Sequence, residues 1–382
     1  VPFAEAAKRR GVKVYHVNIG QPDIHSPEEF MNALRHHEMQ LVPYGHSAGL
    51  WEYRDALAEY YGRFDINITS EEIVVTTGGS EAIIFAMMAT MDPGEEIIIP
   101  EPFYTNYNGF AVEAGIKIIP VTSNVEEGFK LPPIEEIEEK ITPKTRAIMI
   151  CTPNNPTGYV YTRQEMEALR DLVLKHDLFF FSDEVYREFI YEGAEYTSVL
   201  HLQGIAERAV LLDSISKRYS VCGARVGCIV TRNKEVLKTA LRLGQARLCP
   251  PTMEQLAAKA AIDTPQSYFD EVIAEYRKRR DVVFEELGKI PGVVALKPQG
   301  AFYTIVKLPV QDADDFAAWL LKEYDDEGET VMLAPANGFY ATPGQGKDEV
   351  RIAFVLNVQA MRRSIQILNK AIRVYPGRTM HM

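Results

Sequence analysis

Leu211-Leu212-Asp213-Ser214-Ile215-Ser216-Lys217-Arg218-Tyr219-Ser220-Val221-Cys222-Gly223-Ala224-Arg225-Val226-Gly227 sets one lysine between two short hydroxyl residues and a glycine-bracketed arginine. The apolar run 209–212 reads as a buried strand ending at Asp213. Lys217 then lies on the loop leaving a sheet, where open α/β sheets bind their ligands. A lysine so placed can form a Schiff base with an aldehyde cofactor. Ser214, Ser216 and Arg225 add two hydroxyls and a planar guanidinium, a set suited to phosphate. Gly223 and Gly227 are expected to let the backbone turn closely around it. Any one lysine is most often a solvated surface charge, so the rest of the chain has to decide.

The chain has 382 residues and a formal net charge of −12. That length suits a large α/β unit with a smaller partner better than one simple core. A composition 46% hydrophobic and 25% charged is that of a soluble globular enzyme. The acidic balance argues against a nucleic-acid partner, which would meet a basic face. Cys151, Cys222, Cys228 and Cys249 show neither Cys-x-x-Cys spacing nor paired histidines nearby, so no metal site and no disulfide framework are expected, and a reducing cytoplasm fits. His36-His37-Glu38 reads as an exposed helix end, because adjacent side chains point to different faces. No apolar run reaches the ~18 residues of a membrane span, and the start lacks a signal pattern. Val1 opens the sequence inside what reads as a helix over 3–10, so native residues are expected to precede it.

Strands are expected at 14–19, 72–76, 96–99, 117–121, 146–150 and 178–182, with helices at 49–61, 82–91 and 162–176 between them. This alternation reads as an α/β unit. Two helices between 252 and 287, broken near Thr264-Pro265, lead to shorter strands at 293–296, 302–308, 331–333 and 350–354 and helices at 314–324 and 359–375, an α+β unit. Thr77-Gly78-Gly79-Ser80-Glu81 joins strand to helix with small residues, so free backbone N–H groups at the positive end of a helix dipole make a phosphate seat. It has neither a nucleotide P-loop ending nor the spaced glycines of a dinucleotide fold. Asp183 and Glu184 are adjacent, and in a strand only one of them can face a pocket.

Taken together, these segments resemble the class I/II aminotransferases, fold type I pyridoxal phosphate enzymes of the aspartate aminotransferase superfamily. The resemblance rests on Ser214-Ile215-Ser216-Lys217 with Gly223-Ala224-Arg225-Val226-Gly227, on Gly20-Gln21-Pro22-Asp23, and on Tyr44-Gly45 ahead of Gly49-Leu50. Asn155-Pro156-Thr157-Gly158, Asp183-Glu184-Val185-Tyr186 and Arg351-Ile352-Ala353-Phe354 complete it, in the family's order and over nearly the whole chain. One departure is Tyr53-Arg54, where the family has Leu-Arg.

The resemblance implies a large α/β domain over 40–285, with a mostly parallel central sheet flanked by helices, and a smaller α+β domain built from both chain ends, 1–39 and 286–382. It implies pyridoxal 5'-phosphate bound to Lys217, with its phosphate held by Gly79, Ser80, Glu81, Ser214, Ser216 and Arg225. Tyr104 would stack on the ring, with Phe103 its rival by one position. Asn155 and Tyr186 would meet the ring oxygen, and Asp183 the pyridine nitrogen. A carboxylate at ~4 Å stabilises that nitrogen's proton by about 4 kcal/mol at an effective dielectric near 20. Arg351, with Asn155 and Gly20, would hold the substrate α-carboxylate. Tyr44 would reach the phosphate of a neighbouring subunit, which implies a homodimer.

The implied activity moves an amino group from an L-amino acid to a 2-oxo acid, by analogy 2-oxoglutarate, in a ping-pong sequence with Lys217 as base and acid. Aspartate, aromatic amino acids and alanine all remain open as donors. Two rivals stand beside it: a C–S β-lyase on the same scaffold, and a non-catalytic cofactor-binding regulator. The second lacks a helix-turn-helix segment or a basic patch in this chain.

Overall fold

The computed structural model describes residues 2–379. Its strands among those residues are β1 (Lys13–His16), β2 (Ile73–Thr77), β3 (Glu96–Glu101), β4 (Lys117–Thr122), β5 (Thr145–Cys151), β6 (Phe179–Asp183), β7 (Ala209–Ser214), β8 (Val226–Val230), β9 (Tyr303–Lys307), β10 (Glu329–Met332), β11 (Ala334–Pro335) and β12 (Glu349–Ala353). Seven of them form one sheet in the order β2-β8-β7-β6-β5-β3-β4, parallel throughout except for β8.

The central strands are apolar almost without interruption because both faces are covered, as parallel sheets require. Their alternation sorts residues into two layers. Ile98, Ile148, Phe180 and Leu211 pack on one face with Tyr61 and Leu169. Ile99, Met149, Phe181 and Leu212 pack on the other with Ala82, Phe85 and Ala86 of helix Gly78–Thr90. Helix Arg163–His176 begins where the sequence places it because Thr162 and Glu165 form a reciprocal cap: the Thr162 hydroxyl accepts from Glu165 N at 3.2 Å and the Glu165 carboxylate from Thr162 N at 2.7 Å.

Outside this sheet, β9, β12 and β11 form an antiparallel sheet, and β1 pairs in parallel with β10, so the two chain ends meet. Helix Gln266–Leu287 packs against the last helix, Val358–Val374.

Three expectations change. The strand expected at 293–296 is a single bridge from Val294 to Lys307, since the Gly292 turn and Pro298 leave no room for a ladder. The helix after β2 starts at Gly78 rather than at residue 82, because glycine supplies the φ of 74° at its first position. The antiparallel β8 and the helices Asn106–Ala114 and Lys234–Arg247 were not anticipated. Lys217 itself sits in a four-residue helix, Ile215–Arg218, not in an open loop.

Candidate active site

The C-terminal ends of β5, β6 and β7 open into a cavity of about 440 Å³, lined also by the helix start after β2, the stretch from Asn18 to Gln21, and residues of β9 and β12. Strand β7 ends at Ser214, whose hydroxyl accepts from Ser216 N at 3.2 Å and so caps the short helix carrying Lys217. Lys217 Nζ donates to the Gly20 carbonyl at 2.8 Å and lies 3.5 Å from Cys222 Sγ. Burial disfavours its charge, but Tyr303, Cys222 and Tyr104 outweigh that and leave its pKa above the ordinary lysine value.

One end of the cavity is built for an anion. Gly79 and Ser80 present the helix start, Ser214 and Ser216 face it with their hydroxyls 2.8 Å apart, and Arg225 completes the ring. The fit is close: a Cβ on Gly78 would lie 2.4 Å from Arg225 Nη2, and one on Gly227 would lie 2.5 Å from the Gly78 carbonyl carbon. Gly223 has nothing within 4 Å of such a Cβ, so of the two glycines bracketing Arg225 only Gly227 serves close approach. Glu81 does not line the cavity. Its carboxylate accepts from Thr77 N at 2.7 Å and from Arg247 Nε at 3.2 Å, satisfying the helix start.

Asp183 ends β6 and also lines the cavity. One oxygen accepts from Tyr107 OH at 2.7 Å and the other from Val185 N at 3.3 Å. Burial raises its pKa to about 6, against the pull of these two bonds. Glu184 points away from the cavity and accepts from Val199 N at 2.9 Å and from the Ser198 hydroxyl. Tyr186 OH meets Tyr303 OH at 2.9 Å. Between the two aromatic rivals, Tyr104 lines the cavity, whereas Phe103 is 1% exposed within the core.

The third wall belongs to Arg351 on β12. Its Nη1 donates to Asn155 Oδ1 at 3.0 Å and its Nη2 to the Asn18 carbonyl at 2.6 Å, while Nε is buried without a partner. The rings of Tyr303 and Phe339 flank the guanidinium, with centroids at 4.7 Å and 4.9 Å. Tyr44 stands outside the cavity and is 78% exposed. Lys217, Arg225 and Arg351 against the single carboxylate of Asp183 give the cavity a net positive character suited to ligands with several anionic groups.

Tyr107, Asn18, Tyr303 and Cys222 escaped the sequence reading as site residues. Tyr107 carried a signal, since with Phe110, Ala111 and Ala114 it has helical spacing that points it inward. Asn18 acts through its main-chain carbonyl, which no residue type announces.

The description Aminotransferase class I and II fits the chain over residues 12–368. This chain belongs to the class I/II aminotransferases. It is 30% identical to aromatic-amino-acid aminotransferase 2 of Thermococcus litoralis, over 94% of this chain and 92% of that one. It is 32% identical to aspartate aminotransferase of Thermotoga maritima, over 95% and 92%. Among solved structures, a double mutant of Thermus thermophilus aspartate aminotransferase superposes with a TM-score of 0.88 at 30% identity, covering 96% of this chain and 94% of that one. As an aminotransferase of this class the protein uses pyridoxal 5'-phosphate. The residues present fit that group: the space beside Gly78, Gly227 and Arg225 suits a phosphate, and Lys217 and Asp183 border the same cavity.

Proposed function

We propose that this aminotransferase takes an amino group from an L-amino acid and passes it to a 2-oxo acid, 2-oxoglutarate foremost, in two half-reactions through one site. When bound, pyridoxal 5'-phosphate supplies an electron sink for the bond to the substrate α-carbon. Arg351 binds the α-carboxylate through the two-pronged geometry of its guanidinium, with Asn155 and the Gly20 backbone beside it. Lys217 would hold the cofactor, and its Nζ would move the substrate α-proton as general base and acid. Asp183 would hold the proton of the cofactor's ring nitrogen, Tyr186 and Asn155 would meet its ring oxygen, and Tyr104 would cover the ring. Gly79, Ser80, Ser214, Ser216 and Arg225 seat the phosphate.

The observation that carries this reading is that Lys217, Asp183 and Arg351, from three different elements, line one cavity. Residues 40–285 would form the cofactor domain, and 1–39 with 286–382 the small domain, with Arg351 on the small-domain side. The enzyme would act as a homodimer, with Tyr44 reaching the neighbouring site. Four unpaired cysteines are in keeping with action in the cytoplasm, and no helix among the described residues is long and apolar enough to cross a membrane.

The test is the visible spectrum of the purified protein with pyridoxal 5'-phosphate, to which single amino acids are added without an acceptor. A band that is lost with particular amino acids and restored by 2-oxoglutarate is expected, and it ranks the donors. Accumulation of pyruvate and ammonia with the band unchanged would point to elimination instead. Lys217→Ala is expected to retain weak cofactor binding and to lose turnover by about 10⁴-fold or more; undiminished activity in that variant would sink the assignment of Lys217.

A further inference from the structure

We propose that Arg218, the residue after Lys217, is a positioning residue that holds the lysine-bearing turn in register with the Asp183 side of the site through a buried cluster of charges. This rests on the reading of Lys217 as the cofactor lysine.

The helix Ile215–Arg218 is a single turn. A turn that short is unfavourable by itself, because nucleation fixes several dihedral angles for one hydrogen bond. Its direction must therefore come from outside. Successive side chains on a helix diverge by about 100°, so Lys217 faces the cavity while Arg218 turns into the interior, 1% exposed.

There Arg218 makes two bonds that lead to different parts of the site. Its Nη2 donates to Asp213 Oδ2 at 2.6 Å, closing the turn onto the strand it has just left. Its Nε donates to Glu188 Oε1 at 2.7 Å, and Glu188 follows the run Asp183-Glu184-Val185-Tyr186. The Tyr60 ring lies 4.1 Å from the guanidinium and fixes its plane. Asp213 is fully engaged: Tyr61 OH at 2.7 Å and Arg187 Nη1 at 3.0 Å share Oδ2, and Ser214 N donates to Oδ1 at 2.7 Å. Burial alone would raise its pKa, yet Arg187 and Arg218 hold it below the ordinary aspartate value.

None of Asp213, Arg187, Glu188 and Arg218 lines the cavity. Stability is a weak reason for such a cluster, since apolar groups of similar volume often replace buried ion pairs without loss. What an apolar substitute would not provide is direction. The Arg218 fork fixes where Lys217 Nζ stands relative to the loop that begins at Asp183.

The test compares wild type, Arg218→Lys and Glu188→Gln, all loaded with pyridoxal 5'-phosphate. Lysine keeps the charge but lacks the planar fork. Arg218→Lys is expected to lower kcat about tenfold while KM for the amino donor stays within about threefold, because the Arg351 clamp is untouched. The pH midpoint of the visible absorbance is expected to move by roughly half a unit or more, since Lys217 changes its surroundings. Glu188→Gln, which keeps an acceptor for Arg218, should move both readouts the same way by less. A lower Tm with kcat per bound cofactor and midpoint unchanged would show a merely structural cluster and overturn the proposal. Should Arg218→Lys fail to fold, the same two readouts in Glu188→Gln decide. A wild type without any visible band would overturn the Lys217 reading itself, whereas a normal wild-type band with unmoved variants removes the Arg218 role alone.

Discussion

Asp183 carries two opposed demands at one side chain. Its burial raises the pKa from 3.8 to about 6, so between those values the folded chain keeps a proton that the unfolded chain has lost. The stabilising contribution is therefore full below pH 3.8 and disappears as pH rises through about 6. At pH 8 the buried carboxylate costs the cofactor-free protein about 3 kcal/mol. Asp183→Asn keeps an acceptor for Tyr107 and removes the charge. It is expected to raise the stability of the cofactor-free protein, by about 1 kcal/mol more at pH 8 than at pH 5 in urea titrations. An equal gain at both values would mean that another group carries the strain. In the loaded enzyme the same change is expected to lower kcat by about 10²-fold or more, because no carboxylate then stabilises the ring-nitrogen proton. Asp183, Lys217 and Arg351 could be singled out through the motifs around them, since alone each reads as an ordinary charged residue, and the folded chain brings all three to one cavity. The Tyr107 bond that tunes Asp183 was not legible, because it joins positions 76 apart that only the folded sheet brings together.

Among the elements, β8 does the least expected work. It enters the sheet antiparallel between β2 and β7 and carries Gly227 under the first turn of helix Gly78–Thr90. A Cβ at Gly227 would meet three backbone atoms: Gly78 C at 2.5 Å, Asp213 O at 2.7 Å and Gly79 N at 2.7 Å. None of these can swing aside. Gly227→Ala is therefore expected to lose about 2–3 kcal/mol in denaturant unfolding and to weaken cofactor binding about tenfold, since the phosphate seat is what it displaces. Gly223→Ala, with open space around it, is the control and should stay within about 0.5 kcal/mol. The parallel strands were legible because a strand covered on both faces is an unbroken apolar run. Strand direction was not, for Val226 to Val230 reads alike whichever way it runs. Likewise 293–296 has a strand's composition, but only one of its residues finds a bridge.

At the scale of the whole molecule, a single chain leaves Leu41, Val42, Tyr44 and Trp51 exposed in one stretch of sequence, at 76%, 57%, 78% and 52%. Tyr44 lies outside the cavity of its own chain, so the role proposed for it needs a second copy. A two-fold dimer makes the requirement reciprocal, because each subunit then offers its tyrosine to the other. Tyr44→Phe alone is expected to weaken cofactor binding about tenfold, the worth of one hydrogen bond to a charged group. The decisive experiment mixes Tyr44→Phe with Lys217→Ala after joint refolding. In a mixed dimer, the site with native Lys217 receives its tyrosine from the Lys217→Ala subunit, so one site of the two is native throughout. Random pairing puts about a quarter of all sites in that state. At cofactor concentrations too low to fill the Tyr44→Phe sites, activity should rise on mixing well above the sum of the two parents. Activity equal to that sum would mean that Tyr44 serves no neighbouring site, and the exposed stretch around it would then need another partner.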